Sequence, residues 1–120
     1  NRDNVFNLYF LDSGDYSKME GISGYEWIRP SQIQWYLNTA KELRERNGKI
    51  VPALMFFHIP IPEYEQVTEF VGDKQEGIYD ANVNSGLFAA LKEGLFFIHL
   101  FIYYFLKKSQ QFFFSNHKSW

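Results

Sequence analysis

The 120-residue chain has no cysteine. That excludes a disulfide framework, a thiolate nucleophile and a cysteine-built zinc site, and it leaves the redox compartment open. It also lacks an apolar run of about 20 residues, the length a membrane-spanning helix needs. There is no glycine-rich phosphate loop, no Gly-x-Ser-x-Gly elbow and no His-Glu-x-x-His pair. Nor is there a basic surplus. The 12 Lys and Arg stand against 14 Asp and Glu, which argues against a nucleic-acid partner, whose phosphates call for an excess of cations. Asn1-Arg-Asp-Asn is neither an initiator Met nor a basic-then-apolar signal peptide, an opening expected of a chain that starts inside something larger.

Aromatic residues are what the chain has in excess. Phe (13), Tyr (8) and Trp (3) make up 20% of it, within an apolar share of 46% and a charged share of 22%. Those proportions fit a folded globular piece and exclude wholesale disorder. The composition breaks near residue 95. Every acidic residue lies before it, and 95–120 carries Lys107, Lys108 and Lys118 with no acid at all. The run 95–106, from Leu95 to Leu106, suits a buried strand or helix, a surface anchor ending at Lys107-Lys108, or sequence never selected to fold.

Val5 to Leu11 is apolar, aromatic and closed by the turn cluster Asp12-Ser13-Gly14-Asp15, which predicts a buried strand. Residues 16–29 read as loop. Ser31 to Asn47 predicts a helix with Ser31 and Gln34 as a capping box. Ile33, Leu37, Ala40 and Leu43 share its apolar face beside Tyr36, Lys41 and Glu45 stand four apart on the other side, and Gly48 is the stop. Ile50 to His58 predicts a second strand, so strand, helix and strand form a parallel crossover of an α/β sheet. Pro62 opens a short helix over 63–71, a polar loop fills 72–84, and Leu87 to Glu93 is another short helix. Trp27, Trp35, Tyr36 and Phe56 are expected in the core.

His58 is the best placed of three histidines, because ligands of open α/β sheets bind at the carboxyl ends of strands. An imidazole there serves as a metal ligand or proton carrier, or it ends a strand and bonds to a loop carbonyl. Spacing alone favours the last. Asp12 and Asp15 end the first strand, where turn aspartates bond to nearby backbone N–H groups. Gly14-Asp15 mimics the Gly-Asp of a metallophosphatase motif, but Lys18 three residues on opposes a metal. His99 and His117 receive no role.

Three segments carry a resemblance: Leu8-Tyr-Phe-Leu-Asp-Ser-Gly-Asp-Tyr-Ser17, Gly24-Tyr-Glu-Trp-Ile-Arg-Pro-Ser-Gln32 and Ala53-Leu-Met-Phe-Phe-His-Ile-Pro-Ile-Pro-Glu-Tyr64. With Gln75-Glu-Gly77 and Val83-Asn-Ser-Gly-Leu-Phe88 in order behind them, the chain resembles the calcineurin-like metallophosphoesterases. It is most similar to their plant purple-acid-phosphatase-like branch. The resemblance covers about residues 5–94. It implies a partial domain at 1–94, with 95–120 as a divergent tail outside the family pattern.

The implied fold is α/β, a fragment of a four-layer α/β/β/α sandwich incomplete at both ends. The implied chemistry is hydrolysis of phosphate monoesters by a water activated between two metal ions, of Fe, Mn or Zn type. His58 then matches a metal ligand, Ile59 and Pro60 shape its loop, and Asn84 and Ser85 fix the approach to the next helix. Substrates would be phosphorylated small molecules or phosphoproteins, and a secreted or vacuolar place would suit. The early Asp-x-His, Gly-Asp and Asn-His ligands of that pattern would precede residue 1. Ile102-Tyr-Tyr-Phe105 stands where its closing Gly-His-x-His belongs. The expectation is therefore a fragment that is inactive on its own and cannot hold the metals alone. The rival readings are a noncatalytic pseudoenzyme or binding module, and a small membrane-associated protein anchored by 95–106.

Overall fold

The computed structural model describes residues 6–66 and 77–93, and the backbone of strand residues 99–105 and 108–114. Along the chain run β1 (Asn7–Phe10), α1 (Pro30–Asn47), β2 (Ala53–Phe56), a 3-10 helix (Pro62–Gln66), α2 (Leu87–Glu93), β3 (His99–Phe105) and β4 (Lys108–Phe114). The sheet order is β1-β2-β3-β4. The first three strands are parallel, and β4 returns antiparallel to β3. The α/β character and the parallel β1–α1–β2 unit are as expected from the sequence.

Strands β1 and β2 are shorter than the apolar runs that hold them. Pro52 has no N–H to give a ladder, so β2 begins after it, and the Pro52 carbonyl accepts the Asn7 N–H at 2.9 Å. Pairing outlasts β1 by one bond, Leu11 N–H to Phe56 O at 2.9 Å. Nor is β1 buried on both faces as its composition suggested. Tyr9 and Leu11 face the core, while Leu8 (55% exposed) and Phe10 (68%) face outward. Successive strand side chains alternate between faces, and among the described residues the helices cover one of them. Phe10 finds partial shelter by stacking on Phe56, their ring centroids 4.9 Å apart.

The covered face is the core. Tyr9, Met55 and Ala53 of the sheet meet Tyr36 of α1 and Leu87 and Leu91 of α2, with Ile33, Leu37, Ala40 and Leu43 packed around them. Tyr36 is wholly buried and meets Tyr9 edge-on at 5.0 Å. Cutting such a ring back to alanine costs about 3–5 kcal/mol. Trp35 does not belong here. It is exposed on the neighbouring side of α1 and touches Tyr9 only edge-on, at 6.1 Å. Trp27 is buried as expected, in a second cluster with Ile59 and Ala81.

The start of α1 also differs from expectation. Pro30 takes the first helical position, so its fixed φ launches the helix and the preceding Arg29 is held extended as the cap, at φ −73° and ψ 149°. No side chain caps it. Ser31 lies inside the first turn, and Gln34 donates to Asn38 Oδ1 at 3.0 Å, so the capping box does not form. The stop is as read: Gly48 is left-handed at φ 64°. After β2 the chain forms a 3-10 turn over Pro62–Gln66 rather than an α-helix. The rest of the expected helix and the first part of the loop 72–84, residues 72–76, lie outside the described residues. Of the run 95–106, His99–Phe105 is a strand. Among the described residues no helix is long and apolar enough to cross a membrane.

Candidate functional site

The carboxyl ends of β1 and β2 lie side by side, and each runs into a short turn. Those turns carry the candidate residues. Past β1, the Asp12 backbone is clamped by α1: its N–H donates to Gln32 Oε1 at 2.8 Å, and Gln32 Nε2 donates to its carbonyl at 2.7 Å. The Asp12 carboxylate turns back on its own chain, Oδ1 accepting the Gly14 N–H at 2.8 Å. This is the local bonding expected of a turn aspartate. Gly14 has φ +70°, and a Cβ there would stand 2.5 Å from Glu26 Cγ, so the position excludes any side chain. Glu26 in turn pairs with Arg29, whose guanidinium lies 4.1 Å from the centre of the Trp27 ring. Asp15 acts through its carbonyl, which accepts the Glu26 N–H at 2.9 Å beside the Tyr16–Tyr25 bridge.

Between these fixed neighbours Ser13 is 2% exposed. Its Oγ accepts two backbone N–H groups from the other turn, His58 at 3.1 Å and Ile59 at 2.9 Å. A hydroxyl oxygen has two lone pairs, and both are used. His58 itself is exposed, two residues past β2, while Ile59, Pro60 and Ile61 behind it are buried. The imidazole therefore stands on a backbone held from below. The sequence places His58 at this rim but does not show what Ser13 bonds to. The only signal was a small hydroxyl between two turn-formers, and it names no partner.

Beside this rim, Trp27, Ile59, Pro60, Pro62, Val83 and Asn84 line a shallow cleft. Asn84 organises its far wall: Nδ2 donates to Glu63 Oε1 and Oδ1 accepts the Gly86 N–H, each at 2.9 Å. That leads the chain into α2, as the sequence suggested for Asn84.

The donors do not add up to a metal centre. A bound ion takes about four to six ligands, and among the described residues no three of His, Cys, Asp and Glu stand together. Asp12 Oδ1 is engaged in its own turn and His58 offers one imidazole. By themselves these residues do not hold a metal pair. His99 lies on β3, away from the turns at the strand ends, and His117 is outside the described residues.

Comparison with known proteins decides the kinship. The chain is 46% identical over 97 residues to probable inactive purple acid phosphatase 29 of Arabidopsis thaliana, a match covering 72% of this chain and 25% of the relative. Probable inactive purple acid phosphatase 14 of the same plant is 36% identical over 100 residues, covering 74% and 25%. The chain carries a segment of the purple acid phosphatase-like family. Phosphatase DCR2 of Saccharomyces cerevisiae is a more distant relative, 34% identical over 93 residues, with 68% of this chain and 15% of that protein covered. The segment thus spans about a quarter of the length of the plant relatives it matches. No family model matches the chain. No solved structure matches it.

Proposed function

We propose that the chain is one portion of a phosphatase-family domain, contributing the β1–α1–β2 unit and a single metal-binding imidazole, His58, to a centre whose other donors lie outside residues 1–120. The observation that carries this is the placement of His58: exposed, at the carboxyl rim of a parallel sheet, on a turn anchored to the neighbouring strand end. The complete centre would hold two metal ions and hydrolyse phosphate monoesters of phosphorylated small molecules or proteins, within a four-layer α/β/β/α sandwich. The outward face of β1, bearing Leu8 and Phe10, is where a second sheet would pack. A boundary at Gly94/Leu95, with 95–120 outside the family pattern, belongs to the same reading. Spliced transcripts encoding that tail would count against treating it as foreign sequence.

The test begins with the chain alone, which should release no p-nitrophenol from p-nitrophenyl phosphate at any divalent metal concentration. A chain extended by the flanking coding sequence should turn over with added metal, and His58→Ala in that longer chain should abolish both turnover and tight metal uptake. Full turnover in the variant would refute the role given to His58. Metal uptake without turnover in the unsubstituted longer chain would move the reading to a noncatalytic member, in line with the word inactive in the names of the plant relatives.

A further inference from the structure

We propose that Ser13 is the positioning residue for His58, a reading that rests on the functional role just given to that imidazole. The Ser13 hydroxyl links the turn after β1 to the two successive backbone amides that carry His58 and its buried neighbour Ile59. Bonds to two adjacent N–H groups fix the direction of the peptide plane between them as well as its distance. The Cα–Cβ vector of His58 leaves the backbone next to that plane, so the imidazole is aimed from below while its ring stays exposed.

The anchor is itself immobilised. Gln32 holds both backbone groups of Asp12, the Asp12 carboxylate holds the Gly14 N–H, and the Glu26 side chain packs against Gly14. Each contact restrains a neighbour of Ser13 and leaves its Oγ for the other turn. The arrangement transmits the position of α1 and β1 to a residue at the end of β2. It gives the Asp12-Ser13-Gly14 cluster a purpose in which neither Asp12 nor Ser13 reacts.

The experiment uses the full 120-residue chain and needs no metal. Amide hydrogen exchange is followed at His58 and Ile59, with the ladder amides Asn7 and Leu11 as internal controls. The residual dipolar coupling of the His58 Cα–H bond reports the direction of the backbone. In Ser13→Ala, exchange at His58 and Ile59 should quicken on the order of tenfold, the worth of a net hydrogen bond, with Asn7 and Leu11 unchanged. The His58 coupling should shrink towards an averaged value.

Ser13→Cys keeps nearly the same shape with a weaker acceptor and should lie between. Ser13→Thr, which retains the hydroxyl, should restore both readouts. Uniformly faster exchange at all four amides would mean a merely structural serine and would overturn the proposal. So would an unchanged His58 coupling in both the Ala and the Cys variants. These readouts do not depend on turnover. Ser13 can therefore fail as an anchor while His58 passes its own substitution test, and His58 can fail that test while the anchoring measurements still hold.

Discussion

Asp12 and Ser13 are adjacent residues with opposite surroundings, and the difference follows from where each side chain finds a partner. The carboxylate satisfies itself two residues away, at the Gly14 N–H, and stays exposed. The hydroxyl is buried and bonds 45 and 46 residues away. That contrast sets what was legible at this scale. A turn aspartate is a local matter and can be read from its neighbours, whereas the reach of a serine depends on which strand lands beside it. His58 was legible because the end of an apolar run marks the rim of a parallel sheet. Gln32 was not, since nothing in its helical position announces that its amide serves another turn. We expect Gln32→Ala to lower stability by about 1 kcal/mol, two hydrogen bonds discounted for their exposure. The same change should raise exchange at the Gly14 amide. Urea denaturation would measure the first, and an unchanged midpoint would mean that the clamp merely accompanies the turn.

Helix α1 was the most legible element, since an apolar face repeating every three to four residues over many turns has few other solutions. Its end was legible too, because only glycine enters the left-handed region without strain. Gly48→Ala should therefore destabilise the chain by about 1 kcal/mol. Nothing lies within 4 Å of the added methyl, so the cost is one of backbone conformation. A thermal midpoint equal to that of the unsubstituted chain would show that the last turn simply unwinds. The start of α1 was misread for a physical reason. Pro30 constrains the residue before it as well as its own φ, and this moved the cap to Arg29, away from the serine with the better capping chemistry. The strands came out shorter than their apolar runs because hydrophobicity does not register where a proline removes a ladder donor.

At the scale of the whole molecule, the helices close one face of the sheet over buried tyrosines. Burial raises the pKa of Tyr36, with a smaller contribution from Tyr9 beside it, and burial alone raises those of Tyr9 and Tyr64. A phenol harder to ionise in the folded chain than in the unfolded one, where it titrates near pH 10, contributes stability that is fully present below that pH. It is lost as pH climbs above it, because the unfolded chain gives up the proton first. Circular dichroism followed through alkaline pH should thus show unfolding set in above about pH 10, with tyrosinate absorbance rising in step. Tyrosinate formation well ahead of unfolding would show that these rings are more accessible than the packing implies. The α/β class could be read from the order of the elements. The single-sided cover could not, because an apolar strand looks the same in sequence whether one of its faces is sheltered or both.

The outward row of β1 has a practical consequence. Leu8 and Phe10 lie on the same side of one short strand, and Phe6 is nearly half exposed just ahead of it. Grease on that side gains by meeting more of its kind. Made in quantity on its own, such a polypeptide would be a poor tenant of a crowded cytosol or a concentrated tube. It would stay monomeric when dilute or chaperoned and would drift towards precipitate as it was concentrated.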